Sequence, residues 1–301
     1  MVTAKTLIVT LALLLPAVPA GADPFAYIES SNQTGGVFGI MNLSTGAFQQ
    51  IGPGLSDLGQ GLAPLNGSLY TLGFDGVLNV INPNTGIETP VGPSLGDCSI
   101  PGVSACGLNS ALGFDSLNGA FYATDFANNL YSLNPSTGKA TLIGSTGMAK
   151  VTFVPGLAGS SGTWTGVDES LFTAGGKLYA NEDFVTIDPT SSTPVVGVPL
   201  ADALYQINTS NGQATPIAPT LTPLNAFVNV SGTEYGFDGN LGEVVSLNLT
   251  NGNTTAVSNY DPSAGLVSGA APVPEPVSVG LACVGIAGLA VLRWRRSSAT
   301  S

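Results

Sequence analysis

One six-residue motif recurs along the chain and limits what it can fold into: an apolar residue, Asn, two variable positions, Thr or Asn, and Gly. It occurs at Met41-Asn42…Gly46, Ile81-Asn82…Gly86, Leu133-Asn134…Gly138, Ile207-Asn208…Gly212 and Leu247-Asn248…Gly252. The spacings between the Asn positions are 40, 52, 74 and 40. An Asn side chain can hydrogen-bond the backbone two residues on. Pro83 and Pro135 pre-set φ for the second turn position, and the Gly takes the left-handed conformation that reverses the chain. Short β-prone runs precede the turns, at 77–81, 130–133, 204–207 and 244–247, and others follow them, at 47–51, 87–91 and 140–143. Each motif therefore predicts a β-hairpin.

A second motif lies upstream, Gly-x-x-Tyr, at Gly67…Tyr70, Gly119…Tyr122, Gly176…Tyr179 and Gly232…Tyr235. One more strand precedes each Gly, at 61–65, 111–114, 169–172 and 225–228. Four short strands per repeat of about 40–45 residues is the form of a β-propeller blade. Tyr179 breaks the regular step to the next turn, so 180–202 reads as an insertion or an irregular blade, and Ile187-Asp188-Pro189-Thr190 as a degenerate sixth motif that has lost its Gly. At the N-terminal end, 25–28, 37–41 and 47–51 supply three strands without a leading one, while 263–269 looks like a leading strand without followers. A blade shared between the ends would pair both open edges. The expected fold is an all-β propeller of about five four-stranded blades. Six blades follow if 180–212 holds hairpins from two blades, and a β-sandwich or β-solenoid could use the same hairpins.

Composition narrows the function. The 301 residues contain no His, 7 Lys+Arg and 19 Asp+Glu. A Ser-His-Asp or Cys-His nucleophile, a His base and a His-ligated metal are therefore excluded. The acidic balance argues against nucleic acid. No Gly-rich phosphate loop follows a strand and opens a helix.

Both ends carry targeting features. Lys5, the apolar run 7–15 and Ala20-Gly21-Ala22 read as a signal peptide cleaved between Ala22 and Asp23, and export through the Sec machinery follows. At the other end stand Pro274-Glu275-Pro276, an apolar segment 277–292 and the basic cluster Arg293, Arg295 and Arg296 around Trp294. Sixteen helical residues cover about 24 Å, short for a hydrocarbon core of about 30 Å but workable with snorkelling arginines and local thinning. The arginines would stay cytoplasmic, leaving the body outside. A plain single-pass anchor would show the same helix. The domains are thus 1–22 signal peptide, 23–270 repeat body and 271–301 sorting segment. In 23–276, three lysines against all nineteen acids leave a formal charge of −16.

The order Pro-Glu-Pro, short helix, arginine cluster resembles the PEP-CTERM sorting signal of Gram-negative bacteria. That resemblance implies transient inner-membrane anchoring and cleavage near Pro274-Glu275-Pro276 by an exosortase. The body would then be released or re-anchored at the cell surface or in the extracellular matrix, with Glu275 a substrate residue of the other enzyme. The body resembles secreted bacterial propellers that carry Asn-x-x-Thr-Gly hairpins.

Cys98 and Cys106 lie in a long inter-motif segment of an exported chain, and a disulfide between them is expected. Cys283 falls in the apolar tail. Asp168, Glu169, Glu182, Asp183 and Asp188 gather in the irregular repeat, and Phe74-Asp75, Phe114-Asp115 and Phe237-Asp238 repeat a pattern. Such loops could hold Ca²⁺, but no D-x-[DN]-x-[DN]-G loop with a distal Glu is present. Turn-forming Asp and a solvated face are the simpler reading. No cofactor, no metal ligand and no catalytic residue is assigned. The expected function is a non-enzymatic surface or matrix protein that binds exopolysaccharide or a matrix protein through propeller loops. A secreted glycoside hydrolase or lyase using two carboxylates is the alternative, and a structural filler without a specific ligand is a third.

Overall fold

The computed structural model describes residues 23–32, 35–56, 59–73, 76–92, 113–125, 128–148, 152–154, 163–187, 194–195, 203–220 and 224–274. Among these residues, twenty-two strands form five antiparallel sheets. Blade 1 contains β1 (Phe25–Asn32), β2 (Gly35–Asn42) and β3 (Phe48–Gln50). Blade 2 contains β4 (Gly59–Leu65), β5 (Ser68–Gly73), β6 (Leu78–Ile81) and β7 (Glu88–Pro90). Blade 3 contains β8 (Gly113–Leu117), β9 (Ala120–Thr124), β10 (Asn129–Leu133) and β11 (Ala140–Ser145). Blade 4 contains β12 (Thr152–Val154), β13 (Thr163–Ala174), β14 (Lys177–Ile187), β15 (Pro194–Val195), β16 (Ala203–Ile207) and β17 (Ala214–Pro219). Blade 5 contains β18 (Ala226–Val230), β19 (Thr233–Asp238), β20 (Glu243–Leu247) and β21 (Thr254–Asn259). The last strand, β22 (Leu266–Pro272), pairs with β1 and completes blade 1 in the order β22-β1-β2-β3.

The ring thus closes between the two ends of the body, as the three-plus-one strand pattern predicts, and the blade count is five. The closing strand sits three residues later than expected: 262–264 form a 3₁₀ turn, and pairing starts at Leu266. The described residues between 180 and 202, 180–187 and 194–195, belong to a single enlarged blade, because the β13–β14 hairpin runs the length of Trp164↔Ile187 to Ala174↔Lys177 and β15 pairs with its far end. Ile187 ends a long strand and pairs with Pro194, the same seven-residue step that separates the paired strand ends around each of the five turns; 188–190, between them, lie outside the described residues.

The turn motif behaves identically in all five blades. The side-chain Oδ1 of Asn42, Asn82, Asn134, Asn208 and Asn248 accepts from the backbone N–H two residues on, at 2.9–3.0 Å. The motif glycine donates its N–H to the carbonyl of the same Asn at 2.8 Å in each copy. It does so at φ between 67° and 84°, a region favouring Gly. Each turn also lies against the outer strand of the preceding blade. A Cβ on Gly86 would strike the Ile51 carbonyl, and one on Gly46 the Asn259 carbonyl. The Gly-x-x-Tyr glycine has a different origin. Asn66-Gly67, Asn118-Gly119, Gly175-Gly176 and Ser231-Gly232 each hold two consecutive positive φ values, the requirement of a two-residue type I′ hairpin.

Strand alternation sends one face of each sheet into each neighbouring blade. The apolar core is consequently five wedges. Phe114, Phe121 and Leu133 of blade 3 meet Ala63, Leu72 and Leu78 of blade 2. Phe172 and Leu204 of blade 4 meet Phe227 and Val245 of blade 5, and Phe237 of blade 5 meets Ile28 and Met41 of blade 1. The other two wedges fill the blade 1–2 and blade 3–4 gaps.

Candidate functional site

The innermost strands β22, β4, β8, β13 and β18 pack side by side around the axis. Register identifies which residues of the repeat face each other there. A Tyr occupies the same register position in every blade: Tyr27, Tyr70, Tyr122, Tyr179 and Tyr235, with Tyr27 supplying the copy that the Gly-x-x-Tyr pattern does not reveal. The innermost strand places Ala271, Ala63, Asp115, Phe172 and Val228 opposite these tyrosines. The residue before the Tyr is Ala26, Leu69, Phe121, Leu178 and Glu234 in turn. Two positions that are apolar in four blades thus carry an acid in the fifth, Asp115 in blade 3 and Glu234 in blade 5.

Both acids line one axial cavity of about 90 Å³, together with Thr173, Asn229, Leu62 and Ala270. A smaller void of about 10 Å³ continues along the axis beside Gln60, Ser170 and Asn225. Asp115 Oδ1 accepts from the Ser116 N–H at 2.6 Å, and the hydroxyl and N–H of Thr173 donate to the same carboxylate across the blade 3–4 boundary. This side chain is partly buried, lining the axial cavity. Burial therefore outweighs those donors and pushes its pKa up from 3.8 to about 7. Glu234 is 5% exposed. Its Oε2 accepts from Asn229 Nδ2 at 3.0 Å, while Oε1 is buried without a hydrogen-bond partner. Burial, and secondarily the charge of Asp115, raises its pKa from 4.5 to about 7.

Another buried carboxylate shows the opposite treatment. Glu29, fully buried, accepts from the Gly59 N–H with one oxygen and from Thr71 Oγ1 at 2.6 Å with the other, tying blade 1 to blade 2. Asp238 is used locally as well: its Oδ1 accepts from the N–H groups of Asn240 and Leu241 at 2.8 and 2.9 Å, a turn role as the sequence suggests. Phe114-Asp115 is not a copy of that turn. Asp115 lies inside β8 and lines the axial cavity, because Phe114-Asp115 falls on the first strand of blade 3 whereas Phe237-Asp238 ends the second strand of blade 5.

The remaining sequence candidates are dispersed. Asp23 is exposed and accepts from Asn42 Nδ2 at 3.1 Å. Pro274 is exposed two residues beyond β22, and the Val273 N–H reaches the Phe25 carbonyl at 3.4 Å. Ala22, Cys98, Cys106, Glu275, Pro276, Arg293, Arg295 and Arg296 lie outside the described residues, as do Asp75 and Asp188. Backbone register sets Asp168 opposite Asp183 and Glu169 opposite Glu182 on the β13–β14 hairpin. Among the described residues no group of three or more His, Cys, Asp or Glu forms a metal centre, and no helix is long and apolar enough to cross a membrane. The expected helix 277–292 lies outside them.

A larger depression sits on the surface. An open groove of about 760 Å³ runs between blade 1 and the 3₁₀ turn, bounded by Ser31, Asn32, Phe48, Gln50 and Ser263. Its size suits a small ligand, whereas the axial cavity holds only a few water molecules or an ion.

The fold and its axis define a five-bladed β-propeller with an acidic centre. No protein-family model matches the sequence, and no curated protein matches it. Solved structures resemble the fold distantly. A chain of a nidogen/laminin complex shares 10% identity at a TM-score of 0.43, covering 82% of this chain and 97% of that one. A protein of unknown function from Bacteroides thetaiotaomicron shares 13% identity at 0.45, with 78% and 58% covered. BamB from Moraxella catarrhalis shares 14% at 0.30, with 75% and 74% covered.

Proposed function

We propose that this protein is an exported, non-enzymatic surface or matrix propeller, cleaved at Pro274-Glu275-Pro276 by an exosortase and binding matrix polysaccharide through the blade 1 groove. The observation that supports the sorting half is where the ring closes. β22 completes the ring at Pro272, the Val273 N–H bonds the Phe25 carbonyl on the first strand, and Pro274 is exposed. Cleavage at the Pro-Glu-Pro motif would therefore remove the apolar tail without unpairing any of the described strands.

The binding half rests on the groove's chemistry. Phe48 offers a ring face, and Asn32, Gln50 and Ser263 offer donors and acceptors, the pairing that suits a saccharide with one apolar face and a hydroxyl rim. No carboxylate is among its described lining residues, so the groove lacks the acid pair that glycoside hydrolysis uses. The axial acids sit in a cavity too small for a sugar ring.

Two measurements test this reading. Intact mass and cell fractionation of the wild type beside Glu275→Ala in the host should show an extracellular species beginning at Asp23 and lacking the tail, with the variant held in the membrane. Equal membrane retention of both would remove the sorting proposal. Binding of the host's exopolysaccharide should fall about tenfold or more in Phe48→Ala. Turnover of that polysaccharide by the protein would overturn the non-enzymatic assignment.

A further inference from the structure

We propose that the axial cavity is a binding site for one divalent cation of the Ca²⁺ type, held between the carboxylates of Asp115 and Glu234. The argument starts from the repeat. Four blades place Ala or a larger apolar residue at each of these two positions, so an apolar residue is compatible with the ring at both. The acids depart from the repeat at two positions on different blades, and the fold brings those two departures to the wall of one cavity.

Two like charges on the wall of one cavity, Glu234 buried and Asp115 partly buried, repel, and each loses hydration. A structural acid in this fold is satisfied by donors, as Glu29 is by Gly59 and Thr71. Glu234 is not: one oxygen takes Asn229 and the other, nine-tenths buried, takes nothing. No described basic residue lines the cavity, since Lys139 and Lys177 are exposed at turns and strand ends. A cation from solution is the partner that answers both the repulsion and the unpartnered oxygen.

The donor set selects the kind of cation. The polar groups at the cavity are carboxylate, amide and hydroxyl, with no thiolate or imidazole, so a hard cation is favoured over zinc or copper. Three blades contribute, which gives an irregular shell. Ca²⁺ tolerates such a shell with waters filling the remaining positions, whereas Mg²⁺ demands near-ideal octahedral geometry. About 90 Å³ leaves room for an ion and one or two waters. The site would lock blades 3, 4 and 5 together at the centre, and it stands independently of whatever the outer groove binds.

The test uses the full-length chain purified in mild detergent, stripped with a chelator and titrated with CaCl₂ at pH 8. Calorimetry and metal analysis should report one Ca²⁺ per chain, with half-saturation on the order of 10⁻⁴–10⁻³ M, and thermal melts should shift upward by several degrees with saturation. Asp115→Asn and Glu234→Gln should each weaken binding about tenfold or more and lose the thermal shift, while Asp23→Asn keeps both. Mg²⁺ should shift the melt less than Ca²⁺ at equal concentration. Absence of stoichiometric Ca²⁺ in the wild type would overturn the proposal. So would an undiminished shift in both axial variants, which would mark general screening of the −16 body. If Asp115→Asn does not fold, Glu234→Gln and the wild-type stoichiometry decide.

Discussion

The rim and the axis of this propeller follow opposite rules. At the rim, five turns repeat one chemistry: the same Asn acceptor geometry and the same positive-φ glycine, with the glycine pressed against the preceding blade's backbone in four of the five. At the axis, the five copies of a position differ, and the difference between Ala63, Asp115, Phe172, Val228 and Ala271 is a difference in chemistry. Repetition at the rim builds the ring, because every blade must meet its neighbour at the same angle. Departure at the centre is tolerated because the inner strands are already fixed by pairing on one side and by neighbouring blades on the other. The contrast separates what the chain needs in order to fold from what it holds in addition.

The largest effects should fall on the repeated parts. Phe121 is fully buried in the blade 2–3 wedge, with ring centroids 4.7 Å from Tyr70 and 5.1 Å from Phe114. Phe121→Ala removes a ring that both blades grip and should cost about 4 kcal/mol in chemical denaturation. A loss under about 1 kcal/mol would mean that the blades do not depend on their shared wedge. Next comes Gly86→Val. It forces a β-branched residue to φ 67° and drives its Cβ into the Ile51 carbonyl of blade 1. We expect about 3 kcal/mol, against almost nothing for the same change at an exposed, unconstrained site.

The rim was legible in the sequence for a physical reason. Asn-x-x-Thr-Gly is local chemistry, satisfied within six residues, so a linear reading finds all five copies and the hairpins around them. Ring closure was legible too, since three strands at one end and one at the other complement each other. The start of β22 was missed by three residues because Pro262-Ser263-Ala264 form a 3₁₀ turn capped by the Asp261 side chain, an interaction that 263–269 does not display. The axial pair was not legible. Asp115 and Glu234 lie far apart in the chain, and each follows a local pattern that suggests something ordinary, a Phe-Asp turn and a Gly-x-x-Tyr strand. A signal was present: Glu234 stands where Leu69, Phe121 and Leu178 stand in the other Gly-x-x-Tyr copies. It becomes informative only once a fold places both departures in one cavity.

The axis can be probed by restoring the repeat. In chelated buffer at pH 8, Glu234→Leu should raise stability by about 2 kcal/mol, because an apolar residue replaces a buried charge that lacks a full set of partners. The pH profile gives the same comparison in the wild type. The folded pKa values of Asp115 and Glu234 are raised to about 7 from 3.8 and 4.5, so the folded chain binds protons that the unfolded chain has released. Stability without metal should therefore fall as pH rises from about 4 to about 7 and level off above. Asp115 faces the cavity and the two acids are coupled, so the combined loss should be about 2 kcal/mol. The double variant Asp115→Asn/Glu234→Gln should flatten the profile over that window. A wild-type profile that rises across pH 4–7 would contradict the burial of these groups.

The smallest effect tests the rim again, one bond at a time. Asn82→Ala removes the Oδ1 acceptor that holds the N–H groups of Asn84 at 2.9 Å and Thr85 at 3.3 Å. The turn keeps its backbone bonds, from Gly86 N–H to the Asn82 carbonyl at 2.8 Å and from the Asn82 N–H to the Ile87 carbonyl at 3.0 Å. The Asn84 N–H lies at the surface and can turn to water, and the Thr85 N–H keeps the Asn82 carbonyl at 3.2 Å, so the loss should be about 1 kcal/mol. Asn134→Ala should cost the same within error, because the turns of blades 2 and 3 share Pro at the next position and nearly identical geometry. Asn208→Ala should lose slightly more, because Asn208 Oδ1 also accepts from the Ser210 hydroxyl at 2.7 Å. If Asn82→Ala instead cost as much as Gly86→Val, the side-chain bond would be holding the blade-to-blade contact and not only the turn.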